Sequence, residues 1–166
     1  MKSYLALAVV SVAIAGCAVP QQPVELKNKF NPAEHAAYMA PGTVRVTGQA
    51  FLRQQGGGTV TCAGSRAVLF PATPYFRESV EILVKGGVPK VDSSNRPGPE
   101  FKSVFRETRC DAQGNFELEP VAPGRYIVMS EVRWTVANSR QGGYLRREVD
   151  VVAGATNRFL LSDADR

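Results

Sequence analysis

Apolar and polar residues alternate along most segments that follow Gly42, as expected for strands that bury one face. Turn-forming residues separate these segments at short intervals. The predicted strands are 43–54, 59–64, 66–73, 101–110, 116–121, 125–136, 144–154 and 156–163, and the predicted turns are 56–58, 111–115, 122–124 and 139–143. No long amphipathic helix is apparent. The pattern predicts a mainly β protein, an antiparallel β-sandwich of about seven strands over residues 42–162, with 163–166 as a C-terminal tail.

Two segments do not fit the strand pattern. Residues 75–85 form either a helix that ends at the Gly86-Gly87 pair or a strand, and charged residues on one side slightly favour the helix. Residues 17–41 carry four prolines among polar residues, which is typical of a tether. A short helical turn over 32–39, capped by Asn31, fits within that tether.

Residues 110–128, CDAQGNFELEPVAPGRYIV, combine two turns with two strands. Asp111 can accept hydrogen bonds from the turn backbone, and Gly114 can adopt a positive φ without steric cost. Pro123 and Gly124 are typical of a second tight turn. The strand between the turns alternates apolar residues with glutamates, so one of its faces is expected to be buried.

This stretch resembles the carboxypeptidase regulatory-like domains, whose transthyretin-like β-sandwich is similar to collagen-adhesin B-type repeats and starch-binding domains. The matching residues are Asp111, Gly114, Phe116, Leu118, Pro123, Gly124, Tyr126 and Val128. Residues 48–75 also resemble bacterial lipoproteins of unassigned function that carry this domain. In carboxypeptidases the domain sits beside the protease and lacks its zinc site. The resemblance therefore implies a fold and a non-catalytic role.

The N-terminus begins with Met1-Lys2, continues as an apolar run and ends in Ile14-Ala15-Gly16-Cys17. The run is too short to span a bilayer but has the length of a signal-peptide core. It resembles a bacterial lipobox, which implies cleavage after residue 16 and lipid, including palmitate, on Cys17. An ordinary secretory signal with an incidental cysteine is the alternative. Ala18 resembles the enterobacterial default for sorting to the outer membrane, so we expect an envelope protein that faces the periplasm.

The charge of the chain argues against nucleic-acid binding. Removing Lys2 with the signal lowers the formal net charge from +5 to +4. The densest basic cluster, Arg146-Arg147, is followed directly by Glu148. A nucleic-acid interface would need a concentrated basic stripe. The expected partners are instead the membrane, through the lipid anchor, and another envelope protein or a polysaccharide.

Two cysteines, Cys62 and Cys110, remain once Cys17 carries lipid. An exported compartment is oxidising, so the sequence predicts a disulfide between them. A redox-active or metal-binding pair is an alternative, although such pairs are usually close in sequence. Two buried unpaired thiols are a further alternative.

Catalytic and metal sites are not expected. His35 is the single histidine and lies in the predicted tether, where a rigid Ser-His-Asp arrangement is rarely built. Asp163 and Asp165 lie close to the end of the chain, and no pair of histidines has ligand spacing. Adhesin relatives cross-link a lysine to an asparagine, and Asn157 would be the acceptor. The first strand offers Arg45 and no lysine, so Asn157 is interpreted as a turn or strand-start residue.

Aromatic residues are the remaining candidates for ligand contact. Trp134 has the parity of the apolar face of its strand, which favours the core over an exposed sugar platform. Tyr75, Phe76 and Tyr144 lie near predicted loops and are weaker candidates.

The predicted protein is a non-catalytic, lipid-anchored envelope protein whose β-sandwich is a structural or protein-interaction module and which needs no cofactor. A carbohydrate-binding module for cell-wall or surface polysaccharide is the alternative.

Overall fold

A computed structural model describes residues 22–90 and 101–166 of the chain. The predicted signal peptide, residues 1–16, and the predicted lipid site at Cys17 lie outside the described residues. In the described part, no helix combines the length and the apolar character needed to cross a bilayer.

Ten strands and three short helices follow one another along the described part of the chain. They are β1 (Val24–Glu25), α1 (Pro32–Met39), β2 (Val44–Arg53), β3 (Thr59–Thr61), β4 (Arg66–Pro71), α2 (Pro74–Val84), β5 (Pro89–Lys90), α3 (Phe101–Val104), β6 (Arg106–Arg109), β7 (Asn115–Val121), β8 (Gly124–Val136), β9 (Ser139–Val151) and β10 (Asn157–Leu161). A final 3₁₀ turn spans Asp163–Asp165.

Two four-stranded sheets form a β-sandwich, so the predicted fold class is confirmed. The first sheet has the order β10-β2-β3, and β7 also pairs with β2; the second sheet has the order β6-β4-β8-β9. Strand pairing within the two sheets is antiparallel except between β10 and β2, where Asn157 lies opposite Val46. The exception follows from the route of the chain, because β10 reaches the first sheet by crossing over from β9 in the second.

The main core lies between the two sheets and contains apolar side chains from both. In β2, inward positions from Val44 to Leu52 alternate with more exposed ones, which is the period-2 pattern visible in the sequence. Leu69, Leu145 and Leu161 are completely buried there. Burying a side chain of this size stabilises the folded state by about 1.5–3 kcal/mol.

Of the two structures predicted for residues 75–85, the helix is confirmed. It is α2, which begins at Pro74 and ends at Val84. Val80 of α2 packs with Ile127 and Met129 on the outer face of the second sheet. Tyr75 and Phe76 are only 6% and 2% exposed. The prediction that these two residues contact a ligand is therefore wrong, because the helix turns them into an aromatic cluster.

The predicted tether is also wrong for its described part, residues 22–41. The helix α1 forms as expected, with the Asn31 side chain accepting a hydrogen bond from the Ala33 N–H at 3.1 Å. His35 is completely buried, and its Nε2 lies 2.9 Å from the Thr73 hydroxyl. Phe30 stacks on the His35 ring and joins the aromatic cluster of α2. This segment is part of the folded domain, because Phe30 and His35 are buried against α2 and Thr73.

Two local predictions differ from the structure. Residues 101–110 form α3 followed by β6 rather than one strand. The turn between β8 and β9 lies at Ala137-Asn138, whose φ values of 44° and 65° are typical of a two-residue type I′ hairpin. Residues 139–143, predicted as that turn, belong to β9. Gly142 and Gly143 therefore lie within a strand, and the chain reverses at Ala137-Asn138 instead.

The predicted disulfide between Cys62 and Cys110 is confirmed, with Cα atoms 5.8 Å apart. Cys62 follows β3 in the first sheet and Cys110 follows β6 in the second, so the bond joins the two sheets. The backbone N–H of Cys110 also donates to the Ser65 carbonyl at 3.0 Å.

Candidate functional site

A polar groove of about 710 Å³ lies where the end of β2, the β8–β9 hairpin and the C-terminal turn meet. We call it the Trp134 groove. Its aromatic, charged and amide lining residues are Arg53, Gln54, Gln55, Trp134, Arg140, Gln141, Asp163 and Arg166. Its volume is within the range of about 300–1,000 Å³ that is usual for small-ligand sites.

Trp134 is the aromatic surface of this groove. Its side chain is partly buried and packs against the main core, as parity predicts, but it also lines the groove. The reason is its position in β8, two residues beyond the completely buried Val132. One side of the Trp134 ring is therefore held by core packing, and the other side is available to a ligand in the groove.

Gly142 lets β9 approach β8 closely beside Trp134. A Cβ atom at Gly142 would lie 2.0 Å from the Val132 carbonyl oxygen and 3.0 Å from a Trp134 ring carbon. The backbone of Gly142 has a φ of 93°, which other residues rarely adopt. A side chain at this position would displace the tryptophan ring or the strand.

The groove is rich in positive charge. Arg53, Arg140 and Arg166 are exposed, and none of their guanidinium groups has a hydrogen-bond or ion-pair partner in the described part of the chain. The single carboxylate side chain of the lining, Asp163, lies 3.4 Å from the backbone N–H of Arg53. Counted as side chains alone, three arginines and one aspartate give the groove a formal charge of +2.

Parity favoured the core for Trp134 rather than a ligand site, and the polar lining residues were not predicted. Trp134 lies directly opposite Gln141 in the β8–β9 register, one residue from Arg140. A hairpin turn predicted at residues 137–138 would have revealed this proximity. The contribution of Arg53 and Gln54 depends on how the two sheets pack, for which the sequence holds no local signal.

Tyr144 lies elsewhere, in a second cavity of about 440 Å³ on the outer face of the second sheet. Phe101, Phe105 and Met129 also line this cavity, which makes it more apolar than the Trp134 groove. The Arg133 guanidinium lies 5.7 Å from the centre of the Tyr144 ring and forms an ion pair with Glu131. Burial, and secondarily the Glu131 carboxylate, raise the pKa of Tyr144. The structure thus does not bring Tyr144 together with Tyr75 and Phe76 at an exposed site.

The turn at Asp111 and Gly114 is held by local hydrogen bonds. One Asp111 carboxylate oxygen accepts from the backbone N–H groups of Gln113 at 2.9 Å and Asn115 at 2.8 Å. Hydrogen bonds from the Asn115 side chain and backbone are the main reason that the pKa of Asp111 is lowered. Gly114 has a φ of 80°. These contacts give the turn a structural role.

Side chains also pack against the second turn, at Pro123 and Gly124, which gives it a structural role. A Cβ atom at Gly124 would lie 3.0 Å from the Tyr38 ring. The Tyr126 hydroxyl donates to the Ala122 carbonyl at 2.8 Å, and burial raises the pKa of Tyr126 to about 12. Asn157 closes the turn before β10, since its side chain bonds both the N–H and the carbonyl of Val152 at 2.9 Å.

The described residues contain no cluster of metal-ligating side chains. Within residues 22–90 and 101–166, no three histidine, cysteine, aspartate or glutamate side chains lie close enough to hold a metal ion. His35 is buried between α1 and Thr73, away from the Trp134 groove.

Comparison with known proteins gives a likeness of fold. No family model matches the sequence, and no curated protein matches it significantly. Among solved structures, the chain is similar to the crystal structure of a "putative carbohydrate binding protein" from Pseudomonas aeruginosa, with a TM-score of 0.62. The two sequences are 22% identical over 81% of this chain and 98% of the other. At that identity the likeness establishes the β-sandwich fold alone.

Proposed function

We propose that the protein is a non-catalytic module of the cell envelope that binds carbohydrate in the Trp134 groove. The observation that carries this proposal is a core-anchored tryptophan that also lines an open groove with amide and charged side chains. The apolar face of a sugar ring can stack on an aromatic side chain, while polar groups at the rim orient its hydroxyls by hydrogen bonds.

Cell-envelope localisation is part of the proposal. The lipobox-like sequence that ends at Cys17 supports a lipid-anchored protein at the outer membrane, facing the periplasm. The resemblance of residues 110–128 to carboxypeptidase regulatory-like domains supports a non-catalytic module. The description of the similar Pseudomonas aeruginosa structure agrees with the carbohydrate-binding alternative raised by the sequence.

The absence of catalysis is proposed from the position of the titratable groups. His35, the single histidine of the chain, is completely buried and hydrogen-bonded at both ring nitrogens, to Asn31 and Thr73. A general base must reach the proton that it abstracts, and the completely buried His35 does not line the groove.

The test measures glycan binding by the full-length lipoprotein purified in detergent, on an array of cell-wall and surface polysaccharide fragments. Trp134→Ala should weaken binding by more than about tenfold, the loss typical of an aromatic anchor. Tyr144→Ala, which truncates an aromatic ring in the second cavity, is the matched control and should bind like the parent. Melting curves confirm that both variants fold.

Two results would contradict the proposal. Binding that survives Trp134→Ala but is lost with Tyr144→Ala would move the site to the second cavity. Retention of an envelope protein in cross-linking experiments, with no glycan bound by the parent, would favour the structural or protein-interaction module instead.

A further inference from the structure

The unpaired arginines of the Trp134 groove point to the chemical class of its ligand. We infer that the groove binds an acidic glycan whose sugar rings carry carboxylate groups. This inference rests on the proposed function. Charge and hydrogen-bonding capacity would select such a ligand, in addition to stacking on Trp134.

Arginines elsewhere on the molecule mostly have partners. Arg45 pairs with Glu119 at 2.8 Å, Arg77 with Glu148 at 2.7 Å, and Arg147 with Asp165 at 2.7 Å. Four arginines of the described part have no polar partner for their guanidinium groups there: Arg53, Arg140, Arg158 and Arg166. Three of these four line the Trp134 groove. Unpaired guanidinium groups of the described part are thus concentrated around the half-buried Trp134 ring.

A guanidinium group matches a carboxylate particularly well. It offers parallel N–H donors that can bind both carboxylate oxygens, and it remains charged at any physiological pH. Arg53 enters the groove from the first sheet and Arg140 from the second. A carboxylate bound in the groove would therefore meet lining arginines from both sheets.

Amide side chains supply the complementary recognition of hydroxyl groups. Gln54 and Gln141 both line the groove, and the Gln141 amide donates to the Ser139 hydroxyl at 3.1 Å. That hydrogen bond leaves the carbonyl oxygen of the Gln141 amide free to accept from a sugar hydroxyl. Asp163 adds an acceptor at the edge of the site.

The experiment uses the one tryptophan of the chain as a built-in reporter. Trp134 fluorescence of the full-length lipoprotein in detergent is titrated with oligogalacturonate and with its fully methyl-esterified form. The two probes have the same sugar ring, and only the first carries charge. We expect the ester to bind at least about tenfold more weakly than the acid. Raising the salt concentration from about 0.05 M to about 0.5 M should weaken binding of the acid but not of the ester.

The arginine variants separate groove chemistry from overall charge. The double variant Arg53→Gln with Arg140→Gln should weaken acid binding by at least about tenfold and should weaken ester binding much less. Arg158→Gln, which removes an unpaired arginine outside the groove, is the matched control and should bind the acid like the parent. Unchanged Trp134 emission without ligand confirms that the variants fold.

The outcomes distinguish this inference from the proposed function. Equal affinity for acid and ester by Trp134 fluorescence, together with loss of glycan-array binding in Trp134→Ala, overturns the acidic ligand and leaves carbohydrate binding in place. No binding of either probe or of any array glycan overturns both. A shift of Trp134 emission with phosphatidylglycerol vesicles, but not with oligosaccharides, would show a lipid-headgroup site and overturn the inference.

Discussion

Gly114 occupies a position that a side chain cannot enter without moving its neighbours. A Cβ atom there would lie 2.7 Å from the Thr61 Cβ and 2.9 Å from the Ala50 carbonyl oxygen. The Ala50 N–H also donates to the Gly114 carbonyl at 3.0 Å. The turn cannot move away from β2 without losing that hydrogen bond, so both the φ value and the close approach require glycine.

Substituting Gly114 by alanine should therefore cost more than its backbone conformation alone. We expect Gly114→Ala to lower the free energy of unfolding by about 2–4 kcal/mol, from the positive φ together with the overpacked contact. Gly57→Ala is the matched control, because Gly57 has a φ of 88° and a Cβ there would meet nothing within 4 Å. Its cost should be about 1 kcal/mol. Equal losses in urea denaturation would contradict the steric explanation.

Residues whose role is local were predictable from the sequence, and residues brought together by folding were not. Asp111 and Gly114 were identified because the turn they form is complete within five residues, 111–115. Arg53 and Arg140 lie 87 positions apart, and they share a groove because β2 and β8–β9 belong to facing sheets. Tyr75 and Phe76 show the reverse error, since neighbouring loops suggested exposure while α2 buries them.

At the scale of elements, α1 is docked on the domain by a polar contact inside an aromatic cluster. His35 lies 4.5 Å from Phe30, measured between ring centres, and 5.3 Å from Phe76. Its Nδ1 lies 2.7 Å from the Asn31 carbonyl oxygen and its Nε2 2.9 Å from the Thr73 hydroxyl. A buried imidazole with both nitrogens bonded fixes the helix in one register and one orientation.

His35→Ala should loosen α1 without unfolding the sandwich. The substitution leaves a cavity and an unpartnered Thr73 hydroxyl, so we expect a loss of about 2–5 kcal/mol in the local stability of α1. Hydrogen exchange of the amides in 32–39 should accelerate, while that of β8 should change much less. Glu34→Ala changes the exposed neighbouring residue and serves as the control. Unaltered exchange in α1 of the His35 variant would show that the docking contact does not hold the helix.

Element boundaries were predictable where one physical signal dominated. Strands β2 and β8 were predicted correctly to within one residue at each end. Each has a face that is buried along most of the strand, which produces a clear apolar pattern in the sequence. The sequence left α2 undecided, since its apolar positions fit a helix and a strand. The prolines of 22–41 suggested a tether, whereas Pro32 is the first residue of α1. The contacts that hold α1 through His35 come from Thr73 and Phe76, more than 30 residues downstream in the sequence.

At the scale of the whole molecule, the packing of the two sheets creates the Trp134 groove. Arg53 belongs to the first sheet, while Trp134 and Arg140 belong to the second. The disulfide between Cys62 and Cys110 joins the same two sheets. On the chain-entropy model a loop of this length stabilises the fold by about 4 kcal/mol. The covalent link thus stabilises the arrangement that brings the groove's two sides together.

The attachment of this domain to the membrane is predicted to depend on Cys17. In Cys17→Ser the thioether that carries the diacylglyceryl group cannot form, so palmitate labelling should be lost and the protein should leave the outer-membrane fraction. Stable anchoring requires more than one acyl chain, each buried CH₂ contributing about 0.8 kcal/mol. Ala18→Ser, which introduces the same residue one position later, is the control and should remain labelled and at the outer membrane. Cys17→Ser protein that keeps both its label and its fraction would contradict the lipoprotein assignment. Glycan binding by Cys17→Ser should be unchanged, because the groove is lined by residues within 53–56, 134–142 and 163–166 and does not include the anchor.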